Sequence, residues 1–195
     1  ENFFIRMVRG SGLKGLVSLE KKTLIQKINI VRPLLEFKKE DLIFISKNVF
    51  NFFVNDPSNN DIKYTRTRIR NLISQLDNDG LDKKKLFLTI KNLKNSNQAI
   101  IFYVEQNKKN NTYYDVKKKK LVINESFFDH PHEIVFRSLT DSIKLIGNMY
   151  NPARGKKIDK IIKEIKENKV LKQTLGGCII KKVNHTVIIT KESPI

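Results

Sequence analysis

Apolar positions recur along this chain with two different periods. Phe3, Phe4, Met7 and Val8 share one face at helical spacing and predict an opening helix. That helix stops at Gly10-Ser11-Gly12, where glycine turns the backbone at little steric cost. No capping residue precedes it and residue one is Glu1, so the pattern reads as mid-helix and the chain is expected to lack its true N-terminus. Leu13 to Leu24 is irregular by pattern, with Gly15 as a second breaker. Gln26 to Val31 alternates apolar and polar and predicts a strand, ended by Arg32-Pro33 because proline cannot donate to a ladder. A helix is predicted from about Lys39 to Asn48, with Leu42, Ile43 and Ile45 inward and acids in its first turn. Asn51 to Val54 reads as a short buried strand, and Asp56 to Asn60 as a turn.

Helix, strand, helix and strand in this order are the rhythm of an α/β layer with parallel strands. Residues 1–62 are therefore expected to form the back half of such a domain. From 63 to 195 the pattern becomes mainly helical. Ile69, Leu72, Ile73 and Leu76 make a helical stripe that breaks at Asp77 to Gly80, and residues 82 to about 109 make a long helix. Glu133 to Ile146 and Lys156 to Glu167 predict two more, the second with Ile158, Ile161, Ile162 and Ile165 on one side and lysines on the other. Leu121 to Asn124 reads as a short strand and Leu175-Gly176-Gly177-Cys178 as a bulged one. A β-hairpin at about 174–191 turns around Val183-Asn184-His185.

Charge adds a partner to this outline. The 195 residues carry 38 basic against 20 acidic side chains, a formal net charge of +18. Such an excess repels itself in a compact fold unless a polyanion offsets it, and nucleic acid is the expected one. One cysteine, Cys178, excludes an internal disulfide or a thiolate metal cluster and fits a reducing, cytoplasmic setting. No apolar run approaches membrane-spanning length, so no membrane partner is expected.

The candidate chemistry centres on Asp56-Pro57-Ser58-Asn59 and Tyr64-Thr65-Arg66-Thr67-Arg68-Ile69-Arg70. Arg66 and Arg70 lie four residues apart on one helix face, with Arg68 on the other side. A guanidinium fork donates two parallel hydrogen bonds to phosphate or carboxylate. The alternative is that these arginines pair with local acids such as Asp56 or Asp61. Asp56 and Asn59 most simply cap the turn and the following helix. The backbone at Arg9-Gly10-Ser11-Gly12 offers either an anion nest or a glycine C-cap, and spacing alone favours the cap. His130 and His132 lack a third ligand at metal-site spacing and read as loop and N-cap residues.

Taken as an ordered set, these residues resemble the tRNA isoleucine lysidine synthetases. The set comprises Glu1-Asn2-Phe3-Phe4 leading into Arg9-Gly10-Ser11-Gly12-Leu13-Lys14-Gly15-Leu16, then Arg32-Pro33-Leu34-Leu35, Asp56-Pro57-Ser58-Asn59, and Tyr64, Arg66, Arg68 and Arg70. The resemblance implies an α/β fold: the C-terminal part of a Rossmann-like ATP-pyrophosphatase domain in residues 1–62, then a helical substrate and tRNA-binding domain in 63–195. It implies a ligase that adenylates the wobble cytidine of an isoleucine tRNA with ATP and magnesium, after which the amine of free lysine displaces AMP. The family's Ser-Gly-Gly phosphate loop does not occur in this sequence, and independent activity is not expected of it. By similarity Glu1 serves the magnesium–ATP or lysine site, and Arg66 and Arg70 contact substrate phosphate. Arg9, Gly10, Ser11, Gly12, Asp56, Asn59 and Arg68 stand beside them as substrate-binding candidates, and a homodimer is carried by resemblance. Two alternatives remain: a tRNA cytidine thiolase, which typically uses paired cysteines, and a non-catalytic basic RNA-binding module.

Overall fold

The computed structural model describes residues 1–17, 19–25, 28–54, 56–149, 151, 153–169 and 171–192. Its chain forms two compact units, Glu1–Asn97 and Gln98–Ile195, and its composition is mixed α/β.

In the first unit, helix α1 (Asn2–Val8) buries Phe4 and packs on α2 (Leu13–Leu16) and α4 (Thr65–Asn78). Met7 and Val8 are exposed, so only part of the predicted apolar face is used. The α1 end closes as a Schellman cap. Gly10, at φ +69°, donates to Met7 O at 2.9 Å, and Ser11 N–H donates to Arg6 O at 2.9 Å. Gly15 is no breaker, because it lies inside α2, where an added Cβ would come 2.8 Å from Ser11 Cβ. Arg6 Nη1 donates to Gly15 O at 2.8 Å and ties the two helices together.

The stretch expected to be irregular also contains β1 (Lys22–Ile25), which pairs antiparallel with β2 (Ile28–Val31). The start of the predicted strand, Gln26 and Lys27, lies outside the described residues. Among those described, this unit therefore holds an antiparallel ribbon rather than parallel strands. Helix α3 (Lys39–Asn48) falls where the periodicity puts it, yet buries no residue fully; Leu42 and Ile43 are half-buried and Ile45 is exposed. Asn51–Val54 is coil, not strand. Asn51 takes a left-handed backbone conformation, which interrupts any extended run. The coil bonds back to α3 instead. Phe52 N–H donates to Ser46 O at 3.2 Å. Ser46 Oγ in turn donates to Phe52 O.

Helix α5 (Lys83–Asn111) begins in the first unit and ends in the second. The second unit carries β3 (Thr112–Asp115), β4 (Lys120–Ile123), α6 (His132–Gly147), α7 (Gly155–Lys166), β5 (Lys172–Leu175), β6 (Cys178–Val183) and β7 (Thr186–Lys191). The expected terminal hairpin is β6–β7, joined by three further strands into an antiparallel sheet of order β3-β4-β7-β6-β5. Leu121, Ile123, Val187, Ile189, Ile180 and Cys178 alternate onto one sheet face, as the two-residue pleat requires. They share a core with Val135, Leu139 and Ile143 of α6 and with Ile158, Ile161, Ile162 and Ile165 of α7. Asn107 is buried, but its amide is satisfied. It donates to Phe127 O at 3.2 Å. It also donates to Ser138 Oγ at 3.3 Å. Gly176 and Gly177 both take positive φ and form the β5–β6 turn, in place of the predicted bulge. Among the described residues no helix is long and apolar enough to cross a membrane.

Two measurements check this packing. A Cβ on Gly147 would meet Gly176 O at 2.0 Å, so Gly147→Ala must displace the helix end or the turn. The expected cost is about 1–3 kcal/mol, read as a lower denaturant midpoint. Cys178 is fully buried, its Sγ donates to Ile143 O at 3.3 Å, and burial pushes its thiol from 9.0 up to about 11. It should resist thiol reagents at pH 8 in the folded state and react on unfolding. Its stabilising contribution is complete below pH 9 and declines as pH rises towards 11, since the unfolded thiol ionises first.

Candidate functional site

The arginine helix is started by a short acid-capped turn. Asp61 Oδ1 accepts Lys63 N–H at 2.9 Å. Asp61 O accepts Tyr64 N–H at 3.2 Å, just before α4 begins. Burial of Thr67 and Ile69 then fixes the rotation of α4. Thr67 Oγ1 donates to Asn59 O at 3.2 Å, tying the helix to the Pro57–Asn60 turn, which Asn59 N–H to Asp56 O closes at 3.0 Å.

Arg70, one turn further along, is held from two sides. Its Nε donates to Glu1 Oε1 at 2.8 Å and its Nη1 to Asn59 Oδ1 at 3.3 Å. Glu1 and Arg70 are 69 positions apart in sequence, and the packing of α1 on α4 brings them together. Both side chains are about a third or more exposed, so the pair contributes roughly 0–1 kcal/mol. The guanidinium lines a cleft of about 530 Å³ with Lys39, Asn59, Thr67 and Asn71, walled by Phe53 and Val54. Two cations, two amide side chains and a hydroxyl around an apolar wall make a place for an anion with an organic body.

The other expected residues are placed differently. Arg66 is exposed and does not line the cleft, and Arg68 is exposed with Nη2 3.4 Å from Thr65 Oγ1. Of the Arg9 to Gly12 group, Gly10 and Ser11 have their N–H groups engaged in the α1 cap, while Arg9 is exposed and Gly12 precedes α2. Asn59 does not cap α4 with its side chain, and Tyr64 holds the N-cap position. Glu1 faces Arg70, and among the described residues no three acids, histidines or cysteines gather to hold a metal. His132 Nε2 lies 3.1 Å from Asp159 Oδ1, and Pro131 occupies the N-cap position of α6. Sequence reasoning missed Lys39, Thr67 and Asn71. Thr67, Arg70 and Asn71 stand at i, i+3 and i+4, so a shared helix face was the available signal.

Comparison with known proteins fits this arrangement. Residues 1–76, which contain the cleft-lining residues, match the PP-loop domain. A tRNA(Ile)-lysidine synthase of Wolbachia pipientis wMel is 30% identical over 200 residues, covering 99% of this chain and 45% of that protein. One from Orientia tsutsugamushi strain Boryong is 32% identical over 208 residues, covering 98% of this chain and 45% of that protein. One from Bradyrhizobium diazoefficiens is 28% identical, covering 92% of this chain and 56% of that protein. The chain is similar to tRNA(Ile)-lysidine synthases along nearly all of its own length. It spans about half the length of these relatives, and the likeness runs through both of its units.

Thr67→Val keeps the shape and removes the hydroxyl that bonds the Asn59 carbonyl. It should cost about 1 kcal/mol and speed amide hydrogen exchange in the Pro57–Asn60 turn. Unchanged exchange there would mean that the bond does not hold the turn.

Proposed function

We propose that this chain takes part in ATP-dependent ligation of free lysine to the wobble cytidine of an isoleucine tRNA. The observation that carries the reading is the likeness of nearly all of this chain to about half of the tRNA(Ile)-lysidine synthases, combined with an anion-suited cleft inside the PP-loop match. In this reading residues 1–62 supply the nucleotide side and residues 63–195 the tRNA side. Arg70 contacts phosphate in the cleft, Lys39 adds a second positive charge, and Asn59 and Glu1 orient the Arg70 fork. Donors fixed before reaction stabilise charge that develops on the transferring phosphate without reorganising. Arg66 and Arg68, exposed on α4, contact tRNA or ATP from outside the cleft, and Arg9, Ser11 and Gly12 approach the substrate beside the α1 cap. Asp56 supports the turn that carries Asn59.

ATP fits the donors of the cleft. Magnesium would come with ATP, held by Glu1 together with phosphate oxygens and water, since one carboxylate serves it; among the described residues no three acids, histidines or cysteines gather there. A cytoplasmic setting goes with this reading, and pairing of two copies rests on resemblance alone. The net charge of +18 also suits a basic RNA-binding module without catalysis.

The two readings part under mutation. The protein as the cell makes it should transfer labelled lysine to isoleucine tRNA in an ATP-dependent manner. Arg70→Ala should lower kcat/KM by about 10²–10³ while tRNA affinity falls only a few-fold. Correctly folded protein that transfers no lysine rejects the ligase reading. A loss of activity merely proportional to lost tRNA binding favours the module.

A further inference from the structure

We propose that the outer face of the five-stranded sheet is a platform for single-stranded RNA, with bases stacking on Tyr113 and phosphates meeting Lys181 and Lys172. The inference rests on the reading of an RNA partner and adds where on the second unit that partner is held.

Strand register supplies the geometry. Tyr113 pairs with Val122, Val122 with Ile188, Ile188 with Lys181, and Lys181 with Lys172. Directly opposed residues share a face, so these five make one row across all five strands. Four interstrand spacings of roughly 4.8 Å set its ends about 19 Å apart. In the three central strands the neighbouring residues (Leu121, Ile123, Val187, Ile189 and Ile180) are buried against α6 and α7, which turns the row outward. Tyr113 is 69% exposed, Val122 and Ile188 are partly exposed, and Lys172 and Lys181 are exposed.

Chemistry changes along the row from an aromatic ring through an apolar middle to two cations. Bases stack on an exposed ring whatever their identity, and lysines follow the backbone they hang from. A duplex keeps its bases stacked internally and offers no face to Tyr113, so the row suits an unpaired strand. Lys120 and the Lys117–Lys119 turn extend the positive charge beside Tyr113, with Asp115 the acid on the same face. Among the described residues neither Lys172 nor Lys181 makes an ion pair, whereas on α7 Lys160 and Lys163 lie 3.7 and 3.8 Å from glutamates. Protection of a sheet edge accounts for lysine on β5, but Lys181 lies on β6, between β5 and β7.

Fluorescence anisotropy with a labelled oligouridine of about ten nucleotides, using the full chain, tests this. Wild type should bind the single strand more tightly than an RNA duplex. Tyr113→Leu should weaken binding about five- to hundredfold, and Tyr113→Phe should restore it, since the ring alone is needed. Lys172→Ser with Lys181→Ser should reduce the salt slope by about 1.4, two contacts at roughly 0.7 each. The chain has no tryptophan, so oligouridine should quench tyrosine emission in wild type and less in Tyr113→Leu. RNA binding that survives Tyr113→Leu and the double lysine variant unchanged overturns the platform and leaves the RNA partner standing. Equal affinity for duplex overturns it too. A wild-type chain that binds neither oligouridine nor tRNA overturns the RNA reading itself.

Discussion

An excess of eighteen positive charges is the constraint under which every element here is arranged. Lysines and arginines outnumber their possible acid partners nearly two to one, so nearly half cannot be neutralised within the chain. Several acids pair locally, as with Asp77 and Lys83, Glu105 and Lys108, or Glu167 and Lys169, while Glu1 reaches Arg70 across 69 positions. Most of the other described cations are exposed, where water screens them, and the apolar interior supplies cohesion. In the second unit that interior is well formed, with a sheet face and two helices sharing one cluster. In the first unit only Phe4, Val17 and Ile69 are buried apolar side chains among those described.

That difference explains which parts of the fold were legible. Helix α7 was readable because four isoleucines at i, i+3, i+4 and i+7 have one possible burial face, and the structure buries all four. The hairpin β6–β7 was readable from alternation flanking a polar turn. Strand β3 was not, because Thr112-Tyr113-Tyr114-Asp115 follows the long helix with no breaker and none of its side chains is fully buried. Strand β1 escaped for a related reason: Lys22–Ile25 is too short to show a period. Asn51–Val54 misled in the opposite sense. Its composition suits a buried strand, but its hydrogen bonds go to the end of α3 and its aromatic residues stay exposed.

The site was legible in chemistry and less so in geometry. Residue type singled out Arg70 and the family resemblance added Glu1 and Asn59, and Arg70 bonds to both. It also grouped Arg66 and Arg68 with Arg70, although only Arg70 lines the cleft. Type ignores rotation, and the rotation of α4 is set by the burial of Thr67 and Ile69. Lys39 joins the cleft from α3, a helix whose sequence offered no reason to place it near α4. At Arg9 to Gly12 two outcomes shared one composition, and the bonds to Arg6 and Met7 distinguish them.

The contact between Glu1 and Arg70 also sets the terms for whatever would reach this guanidinium. Both side chains stay in touch with water, so the pair contributes only about 0–1 kcal/mol, and an incoming anion exchanges one partner for another with little loss.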